Sequence, residues 1–113
     1  MHGSPRADAA ASAVQTARRL VTLFESDAAR AKSRGRTAAL RVFDALRARP
    51  LISLNDVCRR TSVTFRTAAK GMAALVELGI ARELTGQRRN RIFVYQQYLA
   101  ILNEGIEPLR SRD

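Results

Sequence analysis

Arg88, Arg89 and Arg91 crowd into one short stretch, TGQRRNR (Thr85 to Arg91), with Asn90 among them and Gly86 just before. A guanidinium is always charged and offers a planar fork of donors that matches a phosphate or the edge of a guanine. Upstream, Arg66 and Lys70 are spaced so that a helix would stack them on one face, with Thr64 and Thr67 beside them. Arg59 and Arg60 form a third basic group. These residues suit the binding of a polyanion, not proton transfer. Groups for covalent or metal chemistry are scarce: His2 is the only histidine and Cys58 the only cysteine. A disulfide within the chain and a Cys-based zinc site are therefore excluded, and Cys58 reads as a small buried hydrophobe. With no nucleophile–base pair, metal cluster or phosphate-cradling loop in the pattern, no enzyme, catalytic residue, metal or cofactor is expected.

The charge is unevenly placed. The 113 residues carry a net +10, and arginine outnumbers lysine eighteen to two. Residues 1–33 are net +2, 34–91 are +9 and 92–113 are −1. A compositional habit such as a GC-rich genome explains the choice of arginine over lysine but not the excess of base over acid. A basic segment of this kind attracts polyanions, and nucleic acid is the commonest. The composition, 46% hydrophobic, 27% charged and 5% aromatic, is that of one folded domain with an aliphatic core. No apolar run approaches the ~18 residues of a membrane span. No secretory apolar stretch opens the sequence, so a cytoplasmic protein without membrane contact is expected.

The elements that must position these residues follow from periodicity. Residues 1–6, MHGSPR, read as a disordered end. Residues 7–33 read as an amphipathic helix, with Val14, Ala17, Val21, Phe24 and Ala28 on one stripe. Gly35 breaks it. A second helix is expected over Thr37–Ala48, closed by Pro50, and LIS is a brief strand. Ser53 and Thr64 are N-cap candidates for two further helices, the first short, the second ending at Gly79. A tight turn, TSV, joins them. IAREL and RIFVY are strand-like and flank the basic loop. QQYLAILNEG returns to helix with Tyr98, Ile101 and Leu102 facing inward, and residues 106–113 read as a frayed tail. The order predicts a mainly α fold: a winged helix-turn-helix over residues 36–105, with a two-stranded wing and an extra N-terminal helix.

Two stretches resemble a known family. SLNDVCRRTSVTFRTAAKGMAALVELGI is similar to the helix-turn-helix core of bacterial winged-helix domains, at Val57, Val63, Thr67, Ala68, Met72, Leu75, Gly79 and Ile80. GIARELTGQRRNRIFVYQQYLAILNEG resembles the C-terminal winged-helix segment of Fic family proteins, at Gly86, Arg89, Asn90, Arg91, Phe93, Val94, Tyr95, Tyr98 and Leu99. TARRLVTLFESD is similar to the helix that leads out of the Fic catalytic domain. The catalytic His-Pro-Phe motif and its Gly-Asn-Gly-Arg phosphate loop are absent, so the resemblance implies no nucleotidyl transfer here. It implies a regulatory or targeting module of a Fic-like system, with double-stranded DNA or a Fic domain as partner.

In such a domain the second helix of the pair enters the major groove. Thr64, Arg66, Thr67 and Lys70 then become the base- and phosphate-facing residues, with Arg66 the reader of guanine and Lys70 meeting phosphate or guanine, while Thr67 could instead be structural, matching the inward threonine of the resembled family. Arg59 and Arg60 would reach the backbone. Arg88, Arg89, Asn90 and Arg91 would meet phosphates or a narrow minor groove. Bland readings stand beside these. The wing arginines could be mere solvation, or contact a protein; Asn90 and Gly86 could only shape the turn. Phe65 is read first as a core anchor, then as a base or partner contact. Ala69, Gly71, Ala73 and Ala74 make a smooth face that would suit protein as well as DNA, and Gly71 costs a helix interior ~1 kcal/mol relative to Ala. The alternative function is thus a protein-interaction module, docking on a Fic domain or mediating dimerisation. The N-terminal stripe needs cover, and a homodimer through Val14, Val21 and Phe24 is one way to supply it.

Overall fold

The computed structural model describes residues 4–33, 36–86 and 89–110, with side chains over 12–33, 38–86 and 89–104. Five helices and three short strands follow one another: α1 (Ser4–Ser33), α2 (Arg36–Ala48), β1 (Leu51–Ser53), α3 (Leu54–Thr61), α4 (Phe65–Glu77), β2 (Ala81–Glu83), β3 (Ile92–Tyr95) and α5 (Gln96–Arg110). α1 already includes Ser4–Arg6, and α5 carries helix on to Arg110. Arg34, Gly35 and 111–113 lie outside the described residues, as do Met1–Gly3.

Local chemistry sets the boundaries. The Ser53 hydroxyl caps α3 by accepting from the Asp56 amide at 3.1 Å, and Thr64 caps α4 by accepting from the Thr67 amide at the same distance. Between them, Ser62 turns the chain at φ 59°, its amide donating to the Cys58 carbonyl at 2.9 Å. α4 ends on Gly79 at φ 78°. The Ile80 amide reaches back to Leu75 O at 2.9 Å and the Gly79 amide to Val76 O at 3.0 Å, the paired bonds of a Schellman ending.

The sheet is antiparallel in the order β1–β3–β2. The hairpin expected from sequence therefore gains a third strand, because LIS pairs with IFVY in the register Leu51↔Val94, Ile52↔Phe93, Ser53↔Ile92. β2 pairs on the other side, Ala81↔Tyr95 to Glu83↔Phe93. The core is aliphatic as composition implied. Val42, Phe43 and Leu46 of α2 meet Val57 of α3, Ala68, Met72 and Leu75 of α4, and Ile52, Phe93 and Tyr95 of the sheet.

α1 packs on α2 and α5. Its predicted stripe divides. Phe24 and Ala28 pack against the core, and Ala31 is within it. The Phe24 ring meets Tyr98 edge-on at 5.1 Å and Tyr95 at 6.0 Å, under the Arg47 guanidinium. Val14 and Val21 remain 52% and 54% exposed, because the residues facing the domain are instead Leu23, Asp27 and Ala31. Asp27 is buried beneath this helix. Its carboxylate accepts from the Tyr95 hydroxyl at 2.7 Å and from Arg30 Nη1 at 3.1 Å. Burial and the neighbouring carboxylate hold the Tyr95 phenol well above its ordinary titration range. Arg30 also donates to the Leu78 carbonyl, tying α1 to the end of α4.

Candidate nucleic-acid interface

The two capped helices α3 and α4, joined by the Ser62 turn, carry most of the basic side chains in question. α4 buries Ala68, Gly71, Met72 and Leu75 against its neighbours. That phase leaves Arg66 and Lys70 exposed on its opposite face, as the i, i+4 spacing requires. Thr64 is exposed but committed to capping, and its hydroxyl donates to Thr67 Oγ1 at 3.0 Å. Thr67 is half-buried, so both threonines shape the start of α4.

Partner by partner, the basic residues are not equivalent. Arg59 is paired with Asp56 on its own helix. Arg91 donates to Glu83 Oε1 at 2.9 Å across the hairpin and lies over the Phe93 ring at 5.1 Å. Both therefore have structural employment. Arg60, Arg66, Lys70, Arg82 and Arg89 are exposed, and none of the ion pairs among the described residues includes them. Their charge is available to an external anion. Arg89 and Asn90 stand at the hairpin turn, Asn90 in the left-handed region at φ 55°. Arg88 lies outside the described residues.

Glu83 organises the hairpin, a role that sequence reading did not assign. One carboxylate oxygen holds Arg91. The other accepts from Thr85 Oγ1 and from the Gly86 amide, each at 3.1 Å. These donors, Arg91 first, hold the Glu83 carboxyl below its ordinary range and raise Arg91 in return. The signal was legible in principle: an acid at the end of one strand faces an arginine just before the next, a diagonal that a short hairpin brings together.

Phe65 is not a core anchor. It is 56% exposed at the first turn of α4. The reason is its place at the start of the helix: Phe65 stands one turn ahead of Ala68, the first residue of α4 in the core, and so projects beyond the core beside the hairpin. It lines a cleft of about 370 Å³ with Ser53, Leu54, Asn55, Arg89, Asn90 and Arg91. A smaller recess of about 170 Å³ lies along α4, lined by Ala69, Ala73 and Val76 with Leu54, Phe93, Glu83 and Arg91. The smooth face expected from Ala69, Gly71, Ala73 and Ala74 is correspondingly narrower. Gly71 is buried, and Ala74 is half-buried against the core. Cys58 is half-buried, and Leu102 is exposed, not inward.

Another cleft among the described residues lies between α1 and α5 and is lined by Arg18, Leu23, Asp27, Arg30, Gln97 and Ile101. Among the described residues no three His, Cys, Asp or Glu side chains are grouped to hold a metal ion. Nor is any helix among them long and apolar enough to cross a membrane.

Comparison with known proteins adds no family to this description. No protein-family model matches the chain, and a search of curated proteins finds no relative.

Proposed function

We propose that the chain is a winged helix-turn-helix module that binds duplex DNA. In this reading α3 and α4 are the helix pair, α4 enters the major groove, and the β2–β3 hairpin is the wing. One observation carries it. α1 covers α2 and α5, and so leaves the basic first turns of α4 and the described hairpin-turn residues Arg89 and Asn90 open to solvent. Cover over that face by α1 would have favoured a protein partner. Arg66 is then the reader of a guanine, through its O6 and N7. Lys70, Arg60 and Arg89 neutralise phosphates, while Arg59 and Arg91 hold the scaffold. Attachment to a Fic-like system, as a regulatory or targeting part, rests on the residue resemblance in the hairpin and α5. Dimerisation through α1 would have Val14, Ala17 and Val21 to work with, since Phe24 is committed to its own domain.

The reading separates two arginines. Arg66→Ala should flatten preference at one base pair, at a cost of about 1–3 kcal/mol there, and leave mismatched duplexes nearly unaffected. Arg89→Ala should weaken every duplex alike and reduce the slope of affinity against salt by about one. Fluorescence anisotropy on a panel of single-position duplex variants checks both. Equal, sequence-independent losses from the two substitutions would remove Arg66 from the major groove.

A further inference from the structure

An aromatic side chain that is more than half exposed, between unpaired arginines, needs an explanation that charge neutralisation does not supply. Phe65 precedes Arg66 on α4 and faces Arg89 and Asn90 across the cleft. It is free to touch a ligand: it takes part in none of the aromatic pairs, which join Phe24, Phe43, Tyr95 and Tyr98 in and against the core. Resting on the DNA-binding reading, we propose that Phe65 reads the C5-methyl group of a thymine next to the guanine contacted by Arg66.

The chemistry of the major groove supports this occupant. Thymine is the base that presents an apolar group there, and phenylalanine and alanine side chains are among those that pack on it. The surroundings are cationic: Arg66 on the same turn, Arg89 across the cleft, and Lys70 one turn further on. An apolar surface ringed by positive charge suits a methyl group carried on a polyanion better than it suits an uncharged peptide. Spacing fixes where the thymine falls. Phe65 and Arg66 are adjacent on a helix that rises 1.5 Å per residue, and one base pair spans ~3.4 Å of duplex. The methyl therefore belongs to a base pair beside that guanine. Ala69, one turn along α4 from Phe65, widens the apolar surface without adding a donor or acceptor that would select another base.

The test alters the DNA and leaves the protein intact. A preferred duplex is selected from a randomised pool with the full chain. Each thymine beside the guanine is then replaced by deoxyuridine, which removes the methyl and keeps the base pairing. One such replacement should weaken binding roughly fourfold, the equivalent of the ~0.8 kcal/mol of a buried methylene. Phe65→Ala should bind the thymine and deoxyuridine duplexes alike. Its circular dichroism should match the parent, since Phe65 lies outside the core. If deoxyuridine has no effect anywhere in a duplex that still binds, the methyl reading is wrong and DNA binding stands. If Phe65→Ala remains as sensitive to the methyl as the parent, another side chain reads it and the proposal is overturned. A parent chain that binds no duplex but self-associates, while Phe65→Ala stays monomeric, assigns the cleft to protein and overturns both readings.

Discussion

Gly71→Ala is expected to destabilise the domain by about 1–3 kcal/mol, although the same change in most helix interiors would stabilise. A Cβ at position 71 would lie 2.5 Å from the Ala38 carbonyl oxygen, 2.8 Å from its carbon and 2.7 Å from Val42 Cγ2. The Val42 methyl belongs to a side chain, but the Ala38 carbonyl is part of the α2 backbone and cannot rotate aside. Relief requires α2 and α4 to separate, and their interface is the most extensive between any two elements. The gain of ~1 kcal/mol in helix propensity is smaller than the cost of opening that interface. Urea denaturation should show a lower midpoint with the slope unchanged. A midpoint equal to or above the parent's would mean that the helices part easily. Because α4 also carries Arg66 and Phe65, the folded fraction of this variant should lose sequence preference more than salt-dependent affinity.

Asp27→Ala is expected to cost about 3 kcal/mol, the lower edge of the ~3–5 kcal/mol for breaking a buried ion pair. Asp27 is 4% exposed and accepts from both Tyr95 and Arg30. Truncation strands the buried Tyr95 hydroxyl, while the half-exposed Arg30 recovers water and moderates the loss. Tyr95→Phe should cost less, because Arg30 continues to neutralise the carboxylate. The double variant should then fall well short of the sum of the two single losses, since the partners share one interaction. Thermal or chemical denaturation of the four proteins measures this cycle. Additive losses would show that the Asp27–Tyr95 bond contributes nothing, and would loosen the claim that α1 is an integral layer of the domain.

Local rules were sufficient for much of the fold. Ser53, Thr64 and Gly79 each stop or start a helix by a bond between near neighbours in sequence, so their types and positions predict what the structure contains. The inward faces of α2 and α4 were legible for the same reason, a period of 3.6 residues. What sequence left open involves partners far apart in the chain. Asp27 and Tyr95 are 68 residues apart, and neither signals the other. Gly71 read as a weakness because the Ala38 carbonyl that demands it lies in a different helix. Phe65 read as core because aromatics usually are, whereas it is exposed because it opens α4, one turn ahead of the first residue that the core covers. The candidate site was legible as a set of charges. Which of them are spent was not, since the Arg59–Asp56 and Arg91–Glu83 pairs form only once the helix and hairpin are folded. The α1 stripe shows a further limit: periodicity gives a face but not its cover, and here one half is covered and the other half is open.

Binding of the full chain to duplex DNA, followed as a function of salt, tests the central claim most directly. Arg60, Arg66, Lys70 and Arg89 are the described basic residues of α3, α4 and the hairpin turn that take part in no internal ion pair. With Arg66 on a guanine and the other three on phosphates, log affinity should fall against log salt with a slope of about −3, at roughly 0.9 per neutralised phosphate on duplex DNA. Micromolar or tighter binding at low salt with that slope is the predicted result. No binding at micromolar protein in low salt, or binding indifferent to salt, would contradict the account.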